Sequence, residues 1–534
     1  MTERRWFALA CIVIAIGTIW RVYRINAFPG LDPDEVEGAL AWFRDGPILW
    51  YVYPSGRPHL NPLAPLVLFP FAALGNPAAW VVRMPAVIAG IALLPAIFFV
   101  TRRTFGHPVA VTATVFASTM PILVAYSRPG WDLAYVPVVT AIVLGFAFAQ
   151  KLIGTGIALG LLALVHPTVA FVAPIAAAPF LRVWWIKAGA QRHSVLWRTT
   201  LAFLCVLAFA SVFVTLAAFA ADIPMTPAEA PRALALVGER LVDSATIAVF
   251  ITAFWQALGG TYVYAEFAGG HVMAPALWPG IVVLVLCAGT AFLLRREGKT
   301  TEMALVIALP CALLAQYVSM GTDEVSSPLK ERYFLWSAVP CCWALAFLLH
   351  AVGSRLKMAR LVLPVALLAG ILWLGAFYLG YFRPFEKSGG LSASLDYRTA
   401  IPQPKVRVLE IVGRERRYPE TVATVFVGEA RLELVLTYLA SRDRSVRIRN
   451  LGRTLYQHQR SDIAALTEIY ALPPRDVFFV DYAWNDLPGE IREIHRLAAR
   501  TPQAAVGPWT AREIARINTT GGESLLKVWR LSKD

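Results

Sequence analysis

The chain has little charge. Only 16% of its 534 residues are charged and 57% are hydrophobic. Soluble domains carry roughly a quarter charged residues, so this composition argues against an ordinary soluble protein and favours an integral membrane protein. The net charge of +14 does not indicate a nucleic-acid partner, because the basic residues fall in short clusters between apolar runs, as they do in cytoplasmic loops.

Cysteine is also scarce, and a nucleotide-binding fingerprint is lacking. The six cysteines all lie in apolar stretches. No pair has the spacing of a metal site or a disulfide, so they indicate small buried side chains. The turn Val427-Gly428-Glu429 lacks the glycine-rich pattern that cradles phosphates, which argues against nucleotide binding there. No small-residue cleavage site precedes Arg21, so the first apolar run is predicted to be an uncleaved span.

Apolar runs predict a polytopic helical membrane protein. Because a span needs about 20 apolar residues, the sequence predicts about eleven spans. The proline-rich run 62–74 is too short for a good span and is predicted to be a helix at the outer interface or a partly re-entrant one. The predicted spans lie near residues 6–25, 79–101, 108–127, 134–150, 152–165, 167–183, 199–221, 275–294, 302–320, 334–352 and 360–382.

Loop charge predicts the orientation of these spans. Lysine and arginine clusters fall on one side, which the positive-inside rule makes cytoplasmic, and acidic residues dominate the opposite loops. Arg21 and Arg24 do not fit this rule, because they lie at the predicted outer end of the first span. Either their side chains reach lipid phosphates on the outer face, or the first span ends before residue 25. The outer loops are predicted near residues 26–78, 128–133, 222–274 and 321–333.

The last 150 residues or so change character, since charges rise and apolar runs shorten after Pro384. Two domains are therefore expected, a transmembrane module at 1–383 and an extracytoplasmic α/β domain at 384–534. Residues 385–403 are predicted to be a linker. Strands are predicted at Thr421–Val427, Asp476–Val480 and Ser524–Leu531, and helices at Glu429–Ser441, Asp462–Ala471 and Gly489–Ala499.

The first outer loop carries a cluster of carboxylates between Leu31 and Gly38. Asp32, Pro33 and Glu35 fit the start of a helix with a capping box. That pattern leaves Asp34 unexplained, and a carboxylate cluster beside a span is costly unless it faces water or a polar site. Asp34 is therefore the first candidate catalytic residue, with Glu35 beside it.

Two further outer loops bring cations to the same face. Arg128 and Asp132 lie between the third and fourth spans, where they fit either a surface ion pair in a turn or part of an acid–base site. Lys330 and Arg332 precede the tenth span, where they fit either an interfacial anchor or a phosphate site. Arg57 is a further phosphate candidate of the same kind.

Histidines raise the question of a metal. His59, His166 and His271 fall on the predicted outer side. A metal site needs them to converge with carboxylates, which spacing alone does not show, and each one alone also fits a structural histidine. A divalent metal held by His59 and His271 is the resulting hypothesis.

The order of these motifs resembles a known family, the polyprenyl-phosphate-sugar glycosyltransferases of the GT-C fold. That group includes the protein O-mannosyltransferases and the lipid A aminoarabinose transferases. The resemblance covers about the first 380 residues and implies a GT-C-like transmembrane module. It is carried by Arg21-Val22-Tyr23-Arg24, Asp34-Glu35, Gly75-Asn76-Pro77, Val82-Arg83-Met84-Pro85, Arg102-Arg103-Thr104-Phe105-Gly106, Tyr126-Ser127-Arg128 with Asp132, Gly160-Leu161-Leu162 before His166-Pro167, and Glu331-Arg332-Tyr333.

The resemblance implies an inverting transfer from a lipid-phosphate sugar. Asp34 matches the carboxylate that deprotonates the acceptor hydroxyl, and Asp132 matches a second acidic position that assists or orients. Arg128, Lys330 and Arg332 would stabilise charge on the departing phosphate.

One departure from the aminoarabinose transferases is the lysine before paired prolines, which is absent from His59-Leu60-Asn61-Pro62-Leu63. Arg57 and Lys330 are the candidates to replace it.

The implied partners are a lipid-linked sugar donor, membrane lipids and a glycan, lipid or protein acceptor. The implied location is the inner membrane of a bacterium. Two alternatives stay open: a transferase of oligosaccharides or polymers with the same fold, and a non-catalytic scaffold or lipid transporter. A transporter should place charges in mid-span on broken helices, whereas here they concentrate in loops.

Overall fold

Apolar helices make up most of the described part of the first 383 residues in the structure, a computed structural model. Four of these helical segments are long and apolar enough to cross a membrane: Glu3–Val22, Ala79–Phe105, Arg332–Arg355 and Ala359–Phe382. The protein is therefore a multi-pass membrane protein. The structure describes residues 2–26, 31, 35–36, 39–40, 63–74, 77–166, 168–186, 197, 277–320, 332–383, 386, 402–427, 430–450, 476–482, 509–518 and 524–533.

The helices follow the predicted spans closely where both can be compared. They are α1 (Glu3–Val22), α2 (Leu63–Leu74), α3 (Ala79–Phe105), α4 (His107–Thr119), α5 (Pro121–Ala125), α6 (Val136–Phe148), α7 (Leu152–Val165), α8 (Val169–Ile186), α9 (Leu277–Arg296), α10 (Thr300–Met320), α11 (Leu335–Arg355) and α12 (Val362–Phe377). The predicted span 199–221 and loop 222–274 lie outside the described residues, so the count of eleven stays a prediction.

Proline and glycine explain several helix boundaries. Gly106 has φ 88° and separates α3 from α4, a conformation that glycine adopts without steric cost. Pro108 and Pro121 lie in the first turns of α4 and α5, where the missing N–H has no helical partner in any case. The predicted boundary between the spans 152–165 and 167–183, at His166-Pro167, is found, since α7 ends at Val165 and α8 begins at Val169.

The chain divides into two compact units. Unit 1 comprises Met1–Tyr23, Leu49–Val67 and Arg83–Phe382, and unit 2 comprises Arg24–Ile48, Leu68–Val82 and Arg383–Asp534. Unit 2 thus groups two segments from the N-terminal part of the sequence with the C-terminal part. The domain boundary between residues 383 and 384 stays a prediction.

Unit 1 has two chemically different ends. At one end, Glu3 contacts Arg102 and His107 at 2.9 and 3.3 Å, and this end also holds the α6–α7 and α9–α10 turns; we call it the basic end. At the other end lie the C-terminus of α1, the loop after α5 and the α7–α8 break; we call it the site end. The lysines and arginines of the basic end among the described residues are Arg4, Arg5, Arg102, Arg103, Lys151, Arg295, Arg296, Lys299, Arg355, Lys357 and Arg360, all exposed except half-buried Arg102.

Two glycines let α1 and α3 approach their neighbours. A Cβ on Gly17 would lie 2.8 Å from Leu94 and from Ser118, and one on Gly90 would lie 2.4 Å from Cβ of Ser127. These distances are far below van der Waals contact, so the packing at the site end requires the absence of a side chain at both positions.

Unit 2 contains a mixed five-stranded sheet. The strands are β1 (Ala423–Val427), β2 (Val446–Asn450), β3 (Val477–Tyr482), β4 (Trp509–Asn518) and β5 (Ser524–Lys533), in the order β2-β1-β3-β5-β4. β1 pairs in parallel with β2 and β3, and β5 pairs antiparallel with β3 and β4.

Two helices accompany the sheet, α13 (Pro402–Arg414) and α14 (Ala430–Leu439). Side chains from both helices and from β1, β3 and β5 form one apolar core. The predicted helices Asp462–Ala471 and Gly489–Ala499 lie outside the described residues. Residues 402 and 403, predicted to close a linker, instead begin α13.

Candidate functional site

The loop after α5 carries the second predicted acidic site at the site end of unit 1. Ser127 donates to the carbonyl of Val124 at 2.8 Å, and the rings of Tyr126 and Trp131 lie 5.8 Å apart. A short 3₁₀ helix, Asp132–Tyr135, follows. The side chain of Asp132, the first residue of this helix, is half-buried and accepts a hydrogen bond from the backbone N–H of Leu133 at 2.7 Å. The backbone therefore fixes the orientation of Asp132.

Arg128 is fully buried and holds the end of α1. Its guanidinium donates to the carbonyls of Trp20 and Arg21 at 3.0 and 3.1 Å and to that of Tyr23 at 2.7 Å. It also lies 5.0 Å from the ring centroid of Phe382. The last carbonyls of a helix have no helical partner and carry the negative end of its dipole, so a cation here is a C-terminal cap.

Burial has an electrostatic consequence at Arg128. Desolvation, with repulsion from Arg83 as a smaller cause, lowers the pKa of the Arg128 guanidinium to about 10. The group keeps its charge at neutral pH. A buried cation in a poorly screened environment raises the local concentration of anions, which favours an anionic ligand at this end.

Arg21 is buried as well, and this corrects one expectation from the sequence. Its guanidinium donates to the carbonyls of Gly17 and Ala117 at 2.9 and 3.0 Å, and the side chain is 0% exposed. Of the two alternatives for Arg21, contact with lipid phosphates is wrong, because the side chain joins α1 to α4 inside the protein. The helix does end earlier than predicted, at Val22, and Arg24 pairs with Glu386 at 3.3 Å within unit 2.

Arg332 brings the third predicted loop to the second. It lies 5.0 Å from the ring centroid of Trp131 and 5.4 Å from that of Tyr333. A guanidinium over the face of a tryptophan is a favourable cation–π contact. The predicted loops near 128–133 and 321–333 therefore meet at the site end, with Trp131 as the point of contact.

Further aromatic side chains lie beside the contact between Arg332 and Trp131. The rings of His166 and Tyr333 stack at 5.5 Å, and Gln316 donates to the carbonyl of Tyr333 at 2.9 Å. Trp336 donates to Oε1 of Gln316 at 2.6 Å. From the sequence, His166 fits either a metal ligand or a structural histidine and Tyr333 belongs to the Glu331-Arg332-Tyr333 motif, whereas no pattern indicates Trp131 or Gln316.

Glu35 is the described candidate of the first outer loop. It is helical and 3% exposed, and it belongs to unit 2. Its neighbour Val36 and the nearby Ala39 are fully buried in an apolar cluster of that unit. The helix start predicted from the capping pattern agrees with the helical state of Glu35.

Five predicted site residues lie outside the described residues: Asp34, Arg57, His59, His271 and Lys330. Within the part of the chain that the structure describes, no group of three or more His, Cys, Asp and Glu side chains is arranged to hold a metal ion. The metal hypothesis rests on His59 and His271 and stays a prediction.

Comparison with known proteins gives the fold. A structure of ArnT from Cupriavidus metallidurans bound to undecaprenyl phosphate is similar, with a TM-score of 0.51 and 15% identity over 99% of this chain and 98% of that one. The apo structure of the same protein matches over the same shares at 15% identity with a TM-score of 0.44. The likeness to the first structure confirms the expected GT-C fold.

An archaeal structure is also similar at a lower level. The oligosaccharyltransferase of Archaeoglobus fulgidus, in complex with Zn and sulfate, matches at 13% identity and a TM-score of 0.46, over 92% of this chain and 69% of that one. No protein-family model and no curated protein sequence matches the chain.

Proposed function

We propose that the protein is an inverting glycosyltransferase that moves a sugar from a polyprenyl-phosphate donor to an acceptor hydroxyl. The observation that carries this proposal is the meeting of Arg332 with the loop of Arg128 and Asp132, at one end of a bundle with the GT-C fold. Cations beside a positioned carboxylate suit the loss of a phosphate leaving group and the binding of an acceptor.

The chemistry of the site end also supports the proposed class of donor. A lipid-linked donor has an apolar chain and an anionic phosphate, which match the apolar helices and the cations at the site end. The similar ArnT structure holds undecaprenyl phosphate, and we extend that class of lipid to this chain as part of the proposal.

The proposed reaction is a displacement at the anomeric carbon. Asp34 takes the proton of the acceptor hydroxyl as its oxygen attacks; the bond between the anomeric carbon and the phosphate oxygen breaks, and configuration inverts. Asp132 orients the acceptor, and Glu35 supports the first outer loop.

Arg332, with Lys330 and Arg57, stabilises the phosphate as it leaves. Arg128 contributes its charge from a distance, because three of its hydrogen bonds go to the end of α1.

The proposed location is the inner membrane of a bacterium, with the site end and the C-terminal domain outside the cytoplasm. The exposed cations of the basic end support this orientation by the positive-inside rule. The proposed acceptor is a hydroxyl group of a glycan, a lipid or a protein.

The test is sugar transfer by the full chain in detergent from a panel of radiolabelled polyprenyl-phosphate sugars. We expect wild type to turn over one donor and Asp34→Asn and Asp132→Asn to lose about 10²–10⁴-fold in rate, the usual contribution of an acid–base group. Asp443→Asn, at an exposed turn in unit 2, is the matched control and should keep full activity.

Other outcomes would redirect the proposal. Turnover of lipid-linked oligosaccharides alone would favour the oligosaccharide or polymer transferase. Absence of turnover and of donor binding in wild type and variants alike would contradict the transferase and favour the scaffold or lipid transporter.

A further inference from the structure

The first outer loop is packed against the C-terminal helices within unit 2. Leu31, Val36 and Ala39 share an apolar cluster with Val435 and Tyr438 of α14. These side chains of the loop are at most 2% exposed. We call residues 31–40 the acidic segment; its described residues Leu31, Val36 and Ala39 are therefore held by residues far away in sequence.

Lys405 makes a polar contact with the same segment. It lies on α13 three residues before Val408 and seven before Val412, which places it on the buried stripe of that helix. The lysine is only 4% exposed, and its Nζ donates to the carbonyl of Leu31 at 3.2 Å. Burying an ammonium group is costly unless polar partners replace its water, so the contact with the loop backbone is part of what allows this position.

Tyr438 makes a second polar contact, at the start of α3. It is fully buried, and its hydroxyl donates to the carbonyl of Ala78 at 3.0 Å. The same oxygen accepts from the backbone N–H of Ala78 at 3.1 Å. One hydroxyl thus satisfies both polar groups of a residue that precedes α3, while its ring packs in the cluster with Val36 and Ala39.

We propose that Lys405 and Tyr438 are positioning residues for the proposed transfer, so that the C-terminal helices act as a clamp on the acidic segment. Glu35 and its sequence neighbour Asp34 both belong to this segment. The inference rests on the proposed function. It makes the C-terminal part a component of the enzyme rather than an appended module that only binds an acceptor.

The first measurement is steady-state transfer by full-length variants in detergent. Lys405→Met removes the ammonium and keeps an unbranched apolar chain, and Tyr438→Phe removes only the hydroxyl. A misplaced catalytic group costs up to about 10²-fold, so we expect kcat to fall about 10- to 100-fold in Lys405→Met and less in Tyr438→Phe. The KM for the donor should stay within about two-fold, because the change affects the reacting geometry rather than donor binding.

Matched controls come from the same chain. Lys151→Met and Tyr418→Phe make the same chemical changes at exposed positions and should leave kcat unchanged. Lys405→Arg keeps the positive charge and should recover part of the kcat lost in Lys405→Met, which a general loss of stability would not produce. Thermal unfolding verifies that each variant is folded at the assay temperature, and Tyr438→Phe serves if Lys405→Met does not fold.

Hydrogen exchange tests the clamp independently of activity. Amide exchange in peptides covering residues 31–40 should increase in Lys405→Met and Tyr438→Phe and not in the two controls. Unchanged exchange in both folded variants would overturn the proposal, and so would faster exchange with unchanged kcat. If wild type transfers no sugar from any donor, the proposed function fails. Faster exchange in the variants would then support only the packing of the C-terminal helices on the acidic segment, and the positioning role would be rejected together with the proposed function.

Discussion

The two ends of unit 1 both carry arginines, but they use them in opposite ways. At the basic end, the cations are exposed or half-buried, and they form surface ion pairs such as that of Arg102 with Glu3, at 36% and 65% side-chain exposure. Such pairs contribute about 0–1 kcal/mol. At the site end, Arg21, Arg83 and Arg128 are 0% exposed. The same residue type marks orientation at one end and builds the structure at the other.

The difference lies in the hydrogen-bond partners. Arg128 bonds to three backbone carbonyls around the end of α1, and a guanidinium can do so because its donors form a rigid planar fork. Backbone dipoles of this kind replace part of the hydration that a cation loses on burial.

The largest effect on stability is expected when this buried cap is removed. Arg128→Ala leaves three carbonyls at the end of α1 without their donor, at about 1–3 kcal/mol for each group left unsatisfied, so we expect a loss of about 4 kcal/mol. The measurement is the midpoint of thermal unfolding in detergent. Arg360→Ala at the basic end is the control and should change stability by no more than about 0.5 kcal/mol. Equal effects at the two ends would contradict the comparison.

The sequence predicts the parts of the fold that local patterns determine. The break at His166-Pro167 follows from proline, and strands β1, β3 and β5 follow from short β-branched and aromatic runs. The predicted GT-C fold is confirmed by the likeness to a solved structure. The break and the strands depend on neighbouring residues along the chain, which a single sequence displays, whereas the GT-C fold was expected from the resemblance to a known family.

Other parts depend on contacts that are distant in sequence. Strand β4, Trp509–Asn518, contains Ala, Arg and Glu, which favour helices, and yet it pairs antiparallel with β5 along its length. Tertiary pairing overrides local propensity there. Strand β2, Val446–Asn450, does alternate apolar and polar residues, and that signal was present but missed among its arginines.

The candidate site shows the same division. Asp132 and Arg332 were predicted as loop residues, but the contact of Arg332 with Trp131, the residue before Asp132, joins segments about two hundred residues apart. The burial of Arg21 could not be predicted from a charge count, because its carbonyl partner on Ala117 lies on another helix. Side chains that act through such partners become visible only in the fold.

A substitution that creates a steric clash at the site end should lower stability by a smaller amount. In Gly90→Ala, the new methyl group would collide with Ser127, since a Cβ there lies 2.4 Å from the Cβ of that residue. Overpacking of this kind costs about 1–3 kcal/mol. Gly375→Ala in α12 is the control, because a Cβ there meets nothing within 4 Å; it should be neutral or stabilise by up to about 1 kcal/mol. Thermal unfolding distinguishes the two, and equal midpoints would show that α3 can move away from the loop.

The smallest effect is expected at an exposed pair in unit 2, which extends the comparison to a second region. Asp476 is buried and accepts from Arg530 at 2.6 Å, whereas Glu513 accepts from Arg516 at 2.9 Å on the surface. Chiefly through the hydrogen bond from Arg516, the pKa of Glu513 is lowered from its ordinary value of 4.5. Its contribution to stability is therefore present above that value and is lost as pH falls through the lowered pKa.

Glu513→Gln measures this contribution. Because the pair is exposed and screened, wild type should exceed the variant in stability by no more than about 0.5 kcal/mol at pH 7. The difference should disappear at a pH below the lowered pKa, where wild-type Glu513 is protonated and resembles glutamine in charge. The experiment compares unfolding midpoints of the two proteins at neutral and acidic pH. A difference that persists or grows in acid would mean that the ion pair is not its source, and that the side chain acts through packing on the strand instead.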